Sequence, residues 1–201
     1  MASTEEEISS PLSTVDERAD VSARARRKSA VIPLAFALVL ALLAVLAWGL
    51  RKAQAGPLES GAAPDFSLTG FDGRKVTLSD LRGQVVVLNF WASWCDTCKE
   101  EMPLLEGAAR GYRARGDRVV VLGVNVQDLP NNARGFLKEY AVSYPNLRDK
   151  GDTTKLRYEV GGLPETFIID QRGRIAVKQV GQLTDIAQIS TPVDQLLKER
   201  G

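Results

Sequence analysis

The chain has 201 residues with 26 Lys/Arg, 25 Asp/Glu and no histidine, so its formal net charge is +1. The absence of histidine removes the commonest metal ligand and the usual catalytic base at neutral pH. Residues 56–201 carry nineteen basic and nineteen acidic side chains, and this balance argues against a nucleic-acid partner. Two cysteines are too few for a disulfide framework, so a hydrophobic core must hold the fold.

The N-terminal part reads as a polar tail followed by an apolar stretch. Residues 1–30 are rich in Ser, Thr, Glu and Asp and end in a basic cluster at 24–28, so we predict a disordered cytoplasmic tail with a basic flank. Residues 31–50 are twenty uncharged residues, mostly Ala, Leu and Val, which is about the length a helix needs to cross a bilayer. Trp48 near the far end is typical of an interfacial anchor.

The charges around this stretch predict its orientation. Five basic residues precede it and two follow it closely, which favours a single-pass anchor in the cell membrane with a cytoplasmic N-terminus. Ala53-Gln54-Ala55 resembles a signal-peptidase site, and this alternative stays open, although Arg51 and Lys52 separate it from an unusually long apolar run. Either interpretation places the rest of the chain on the extracytoplasmic (periplasmic or outer) side.

A linker at 51–63 precedes a predicted globular domain at 64–201. The order of its elements is a hairpin, a βαβ unit, an antiparallel hairpin and a last helix, which indicates an α/β fold. The two apolar strands that flank the first helix should be parallel neighbours in a covered central sheet. We predict strands at 66–68, 75–78, 84–90, 118–126, 166–170 and 175–180, and helices at 96–115, 131–142, 152–160 and 184–200, the last interrupted by Pro192.

The two cysteines, Cys95 and Cys98, stand between the apolar run 85–88 and a helical pattern. At a helix N-terminus, unpaired N–H groups stabilise the thiolate, which is the nucleophilic form. The second thiol lies one turn further on the same face, where it can attack a mixed disulfide. We predict Cys95 as the exposed nucleophile and Cys98 as the buried resolving thiol. The negative charge of Asp96 opposes the Cys95 thiolate and argues against a strong oxidant.

Other interpretations of a Cys-x-x-Cys pair fit this chain less well. A zinc half-site needs two further Cys or His ligands, and the chain has none. Covalent haem attachment needs a histidine after the second cysteine, where this chain has Lys99. A structural disulfide between adjacent helical turns closes too small a loop to add much stability. A redox dithiol remains, and we expect neither a metal nor a cofactor.

Glu101 lies three residues beyond Cys98, on the helix face that carries Cys98 and Leu105. A partly buried carboxylate there would have a raised pKa and exchange protons with the thiols. A solvated helix carboxylate would do neither, and the sequence leaves both interpretations open. Trp94 is predicted to form an apolar rim for a substrate, and Trp91 to pack in the core.

Leu163, Pro164 and Glu165 form the second candidate substrate-binding stretch. Pro164 stands directly before a predicted strand, where an X–Pro bond can be cis. A cis-Pro loop that faces the dithiol leaves the backbone of Leu163 free to pair with an extended peptide. An ordinary loop proline is the alternative.

The run FWASWCDTCKEEMP at 90–103 resembles the membrane-tethered thioredoxin-like proteins of the TlpA, ResA and CcmG (DsbE) group. Asn89 stands where ordinary cytosolic thioredoxins carry a buried Asp, which also matches the group. The resemblance runs from about Pro64 to Lys198 and includes PDF at 64–66, YP at 144–145 before the third strand, and GLPETFIID at 162–170.

This resemblance implies a thioredoxin-like fold with a central mixed sheet and an N-terminal β-hairpin extension, preceded by one transmembrane helix. It also implies a cis Pro164, the redox pair Cys95/Cys98 and an active-site role for Glu101. In such proteins the usual client is the haem-attachment disulfide of apocytochrome c, and Glu165 looks more like the CcmG branch. We expect a transmembrane thiol donor of the DsbD/CcdA type to re-reduce the pair.

The expected function is therefore an extracytoplasmic thiol–disulfide oxidoreductase of cytochrome c maturation. A protein-disulfide reductase of broader specificity is the alternative within the class. A non-catalytic metal or haem chaperone is disfavoured by the absence of histidine and by the presence of only two methionines. A peroxidase would need a Pro-x-x-x-Thr/Ser-x-x-Cys run, which residues 89–95 do not provide.

Overall fold

The structure is a computed structural model that describes residue 33, residues 36–46 and residues 60–199. The predicted tail, the possible signal-peptidase site at 53–55 and the linker up to residue 59 lie outside the described residues. The chain divides into two units, one before residue 56 and one from residue 56 onward, and each is treated by itself.

The first unit contains the anchor predicted at 31–50. Residues 36–46 are helical, whereas most of the flanking residues of the predicted anchor lie outside the described part of the chain. Among the residues that the structure describes, no helix is both long enough and apolar enough to cross a membrane. The membrane anchor therefore stays a prediction.

The second unit is an α/β domain whose strands and helices over residues 60–199 have the following bounds. The strands are β1 Gly61–Ala62, β2 Ser67–Gly70, β3 Lys75–Thr77, β4 Val85–Trp91, β5 Val119–Asn125, β6 Asn146–Arg148, β7 Glu165–Ile169 and β8 Arg174–Val180. The helices are α1 Asp96–Arg115, α2 Pro130–Glu139, α3 Thr153–Arg157 and α4 Ala187–Lys198, with a short 3₁₀ helix at Leu78–Leu81.

These strands form one mixed sheet in the order β1-β8-β7-β4-β5-β6-β2-β3. Strands β4 and β5 are parallel neighbours, as predicted, and β5 is parallel to β6. The predicted hairpins β2–β3 and β7–β8 are confirmed, and β7 pairs antiparallel with β4. Because β4, β5 and β6 are parallel, their carboxyl ends meet at one edge of the sheet, and the dithiol follows β4 at that edge.

Both faces of the sheet are covered, which explains why β4 reads as an uninterrupted apolar run. Every residue of β4 is buried. Its side chains alternate between two apolar clusters. Val85, Val87 and Trp91 pack with residues of α1, α2 and α4, whereas the even-numbered residues from Val86 to Phe90 pack with Tyr158 on the opposite face.

Strands β1 and β6 were not predicted from the sequence, and helices α2, α3 and α4 are shorter than predicted. Gly61–Ala62, which we placed in the linker, pairs with β8 and forms one edge of the sheet. Helix α4 continues through Pro192 without the predicted interruption. The fully buried residues Ile189 and Val193 lie on either side of Pro192, and their packing outweighs the backbone hydrogen bond that proline cannot make.

The close approach of Gly123 to its neighbours generates a stability prediction. Gly123 lies in β5 between Asn89 and Asn146 on the adjacent strands. A Cβ at this position would overlap the Oδ1 atom of Asn146 and lie 2.7 Å from the Nε1 atom of Trp91. We expect Gly123→Ala to lower the free energy of unfolding by about 1–3 kcal/mol, because overpacking forces neighbouring side chains to move. Urea titration followed by tryptophan fluorescence measures the change.

Gly107→Ala is the matched control for this substitution. Gly107 lies in α1, and a Cβ there would meet nothing within 4 Å. The same added methyl group should raise the free energy of unfolding by about 1 kcal/mol, since alanine favours a helix over glycine. Equal effects of the two substitutions would contradict the close packing of β5.

Candidate active site

The two cysteines form a disulfide at the N-terminus of α1, with Sγ atoms 2.03 Å apart. Cys95 is the N-cap residue, and its Sγ accepts a hydrogen bond from the amide of Cys98 at 3.2 Å. The strand β4 ends four residues before Cys95, so the sheet edge presents the pair. Helix N-terminal amides aimed at sulfur favour a thiolate at Cys95 when the pair is reduced.

The structure corrects one expectation for Cys95. We predicted an exposed nucleophile, but Cys95 is 6 % exposed and Cys98 is fully buried. Both cysteines belong to the same buried apolar cluster. Cys95 is the more exposed of the two, and its assignment as the nucleophile with Cys98 as the resolving thiol stays a prediction.

The negative charge of Asp96 next to Cys95 is paired with the positive charge of Lys99. The Nζ atom of Lys99 lies 2.6 Å from Oδ1 of Asp96. The hydrogen bond from Lys99 is the main cause of the lowered pKa of the Asp96 carboxyl. Lys99 therefore offsets part of the repulsion that the sequence predicted between Asp96 and a Cys95 thiolate.

Glu101 is fully buried, so the structure supports the buried interpretation. Its Oε1 accepts a hydrogen bond from Nδ2 of Asn89 at 2.7 Å, and its Oε2 accepts one from the amide of Leu183 at 2.8 Å. Burial raises the pKa of Glu101 to about 7, although both hydrogen bonds favour the charged form. The result is a carboxyl group that gains or loses a proton near neutral pH, one helical turn beyond Cys98.

The Leu163–Pro164 peptide bond is cis, as the family resemblance implied. Leu163 is half-buried and packs against the apolar cluster that contains Cys95 and Cys98. Its amide and carbonyl form no hydrogen bond with any residue between 60 and 199, whereas the carbonyl of Pro164 accepts one from the amide of Gly181 at 3.0 Å. The backbone of Leu163 is thus available for pairing beside the dithiol.

Glu165 occupies a different place from the one the sequence suggested. We expected it to bind substrate, but it is 2 % exposed. Its Oε1 accepts hydrogen bonds from the amides of Gly161 at 2.9 Å and Gly162 at 3.2 Å. The carboxylate therefore binds the chain just before Leu163 and presents almost no surface to a substrate.

Trp91 is buried in the core as predicted and Trp94 is exposed, whereas the contact of Trp94 with a substrate stays a prediction. Trp94 is 56 % exposed, and its Nε1 donates a hydrogen bond to the carbonyl of Gln127 at 2.8 Å. Trp91 is fully buried and stacks on Phe136 with ring centroids 4.8 Å apart. Trp94 is therefore the large apolar surface next to Cys95, held in place by the loop after β5.

Sequence reasoning missed the residues that support the site. Asp128 accepts hydrogen bonds from the amide of Ser93 at 2.7 Å and from the Ser93 hydroxyl at 2.8 Å. The signal available for Asp128 was its position just after β5, because parallel strands end at one edge. Asn89 was a polar residue in an apolar strand, which signals a buried partner. Nothing in the sequence pointed to Leu183. Within the described residues, no three His, Cys, Asp or Glu side chains group as metal ligands do.

The buried position of Glu101 predicts a pH dependence of stability. The pKa of Glu101 is about 7 in the folded protein against a usual 4.5, so between these values the folded chain keeps a proton that the unfolded chain releases. The free energy of unfolding should therefore fall as pH rises, by about 3 kcal/mol in total at about 1.4 kcal/mol per pKa unit. Glu101→Gln should abolish this fall, measured by urea titration of the oxidised protein from pH 5 to pH 8.

Glu100→Gln serves as the control, because Glu100 is the exposed neighbour on the same helix. This variant should keep the wild-type fall in unfolding free energy. A Glu101→Gln variant that keeps the same pH dependence would show that another group titrates.

Comparison with known proteins shows which family this chain belongs to. Residues 60–178 match the model of the AhpC/TSA family. The thiol-disulfide oxidoreductase ResA of Bacillus cereus is 35% identical over 122 residues, or 61% of this chain and 69% of that protein. The thioredoxin-like protein YneN of Bacillus subtilis (strain 168) is 35% identical over 158 residues, or 75% of this chain and 91% of that protein.

Solved structures share the fold. A protein described as the thiol:disulfide interchange protein DsbE of Chlorobium tepidum superposes with a TM-score of 0.64 at 32% identity, over 69% of this chain and 97% of that one. A secreted thiol-disulfide isomerase of Corynebacterium glutamicum gives 0.64 at 26% identity, over 73% and 95%. These findings confirm the resemblance stated from the motifs. The chain belongs to the AhpC/TSA family and is a thioredoxin-like thiol–disulfide oxidoreductase of the ResA/DsbE type.

Proposed function

We propose that this oxidoreductase acts as a reductant outside the cytoplasm and that its client is the haem-attachment disulfide of apocytochrome c. The observation that carries the reductant role is the fully buried carboxyl of Glu101 beyond a dithiol at a helix N-terminus. When ionised, this group opposes a second negative charge on the thiols. A dithiol whose thiolate is not strongly stabilised is a poor oxidant and a better reductant.

The reaction is a two-electron exchange between two sulfur pairs. The Cys95 thiolate attacks one sulfur of the client disulfide, forming a mixed disulfide and releasing one client thiolate. Cys98 loses its proton and attacks the Sγ of Cys95, which releases the second client thiolate and forms the Cys95–Cys98 disulfide. The client gains two electrons and takes up two protons. We assign Glu101 as the acceptor of the Cys98 proton, because it lies one helical turn beyond Cys98 and burial raises its pKa to about 7.

The backbone at Leu163 supports an unfolded client. Because its amide and carbonyl have no partner among residues 60–199, an extended segment can pair with them as an added strand. A haem-attachment segment before haem insertion is such a segment. The choice of apocytochrome c itself rests on the resemblance to the TlpA, ResA and CcmG group and on relatives named ResA and DsbE.

The location outside the cytoplasm rests on the N-terminal region. Residues 31–50 are uncharged, and more basic residues precede them than follow them closely. The helical residues 36–46 expose large apolar side chains. The similar protein of Corynebacterium glutamicum is described as secreted. A reductant in an oxidising compartment needs electrons, so a transmembrane thiol donor of the DsbD/CcdA type is the proposed partner.

Cys98→Ala should trap the client on Cys95, because the mixed disulfide then has no resolving thiol. We expect mass spectrometry of mixed disulfides from native membranes to recover apocytochrome c. The control is Cys95→Ala, which leaves only the fully buried Cys98 and should trap nothing. Recovery of many unrelated secreted proteins, without enrichment of apocytochrome c, would replace the narrow assignment with a broad-specificity reductase.

The reduction potential tests the direction of electron flow. We expect a value closer to that of thioredoxin, about −270 mV, than to that of DsbA, about −120 mV. Equilibration of the purified protein with glutathione or dithiothreitol buffers measures it. A potential near the DsbA value would contradict a reductant role, whatever client the trapping experiment recovers.

A further inference from the structure

Lys178 has a buried side chain and takes no part in the proposed thiol–disulfide exchange. It lies in β8, and its side chain is only 4 % exposed, although lysine is rarely buried without a partner. Its Nζ lies 3.0 Å from Oε2 of Glu165, whose side chain is 3 % exposed. The pair is therefore almost completely shielded from water, in a region where charge interactions are strong.

The contact between Lys178 and Glu165 is mainly an attraction between opposite charges and not a well-directed hydrogen bond. Oε2 of Glu165 has no hydrogen-bond partner of good geometry among the described residues. The Nζ of Lys178 lies 3.5 Å from the carbonyl oxygen of Glu159 and 5.3 Å from the ring centroid of Phe167. These contacts place the ammonium group at one position on this face of the β7–β8 hairpin.

The other oxygen of Glu165 holds the loop that leads to the cis-proline. Oε1 accepts hydrogen bonds from the amides of Gly161 and Gly162. Both glycines are exposed and have no side chain with which to pack. Hydrogen bonds to an ionised acceptor are roughly twice as strong as neutral ones, so these two bonds are the principal side-chain contacts that position the loop before Leu163.

We propose that Lys178 is a positioning residue for substrate docking. It compensates the buried charge of Glu165, Glu165 binds the amides of Gly161 and Gly162, and this fixes the backbone of Leu163 beside the disulfide. Lys178 touches no reacting atom, so its effect should appear in the binding of extended substrates and not in the reactivity of the thiols. The inference rests on the proposed docking of substrates at Leu163, but it is independent of which protein is the client.

The test compares two substrates in single turnover. Pre-reduced full-length protein in detergent is mixed with excess of an oxidised Cys-x-x-Cys peptide that lacks histidine, or with the small disulfide 5,5′-dithiobis(2-nitrobenzoic acid). In Lys178→Met, we expect the half-saturating peptide concentration to rise about tenfold, the effect of weakening two charge-assisted hydrogen bonds. The limiting rate, the rate with the small disulfide and the equilibrium constant for thiol–disulfide exchange with glutathione should each stay within about twofold.

Two further variants isolate the role of the charge. Lys75→Met removes an exposed lysine from the outer strand β3 and should leave both substrates unaffected. Lys178→Arg keeps the positive charge and should retain a half-saturating peptide concentration close to that of the wild type. Amide hydrogen exchange at Gly161 and Gly162 should be faster in Lys178→Met than in these two variants.

A third variant covers the case in which Lys178→Met does not fold, since an unpaired buried charge is strongly destabilising. Glu165→Gln/Lys178→Met removes both charges and should melt close to the wild-type temperature. It should still bind the peptide more weakly, because a neutral amide is the poorer acceptor. An unchanged peptide dependence in folded Lys178→Met, or in the double variant if Lys178→Met does not fold, would overturn the proposal, and so would an equal loss with the small disulfide. Because the peptide has no haem-attachment histidine, failure of the apocytochrome c assignment leaves this result intact.

Discussion

The buried carboxyl of Glu101 is the constraint on which the site depends. It joins three separate parts of the chain, because Glu101 lies on α1, Asn89 on β4 and Leu183 in the segment before α4. No lysine or arginine among residues 60–199 forms an ion pair with it, so its charge is balanced only by hydrogen bonds. Burial without a cation is costly and raises the pKa. The fold thereby keeps an acid–base group near neutrality where the thiols react.

A second buried carboxyl lies on the opposite face of the sheet and has a different environment. Glu165 is paired with Lys178, whereas Glu101 has no cation. Residues alternate along a strand, so Asn89 directs its amide toward Glu101 on the α1 face while Glu165 shares its face with Phe167. Pairing with a lysine suits a group that holds a loop, and the lack of a cation suits a group that exchanges protons. The two carboxyls differ in their partners, and the roles that we propose for them differ accordingly.

The exposed part of the site depends on the parallel arrangement of β4 and β5. The loop after β5 begins at the same sheet edge as the dithiol, so Asp128 can bind Ser93 and the carbonyl of Gln127 can bind Trp94. Leu163, which packs against the cluster that contains both cysteines, has backbone groups without a partner among residues 60–199. A thiol–disulfide oxidoreductase needs such an arrangement, since a protein disulfide must be held in line with the attacking sulfur before exchange occurs.

The amino-acid sequence by itself determined the architecture and the reactive pair. The apolar runs of β4 and β5, the Cys95–Cys98 spacing and the turn residues of both hairpins are local signals, and local signals are readable without the fold. It also singled out Glu101 and Pro164, but it left the burial of the first and the isomer of the second open. Only the tertiary structure decided the burial of Glu101 and the isomer of Pro164. It also revealed the contacts of Asp128 and Leu183, and it showed that Glu165 forms an ion pair with Lys178 where the sequence suggested a substrate contact. Each depends on residues that are distant in the chain and that meet only when the sheet forms, and burial, which sets the pKa of Glu101, is a property of the packed fold.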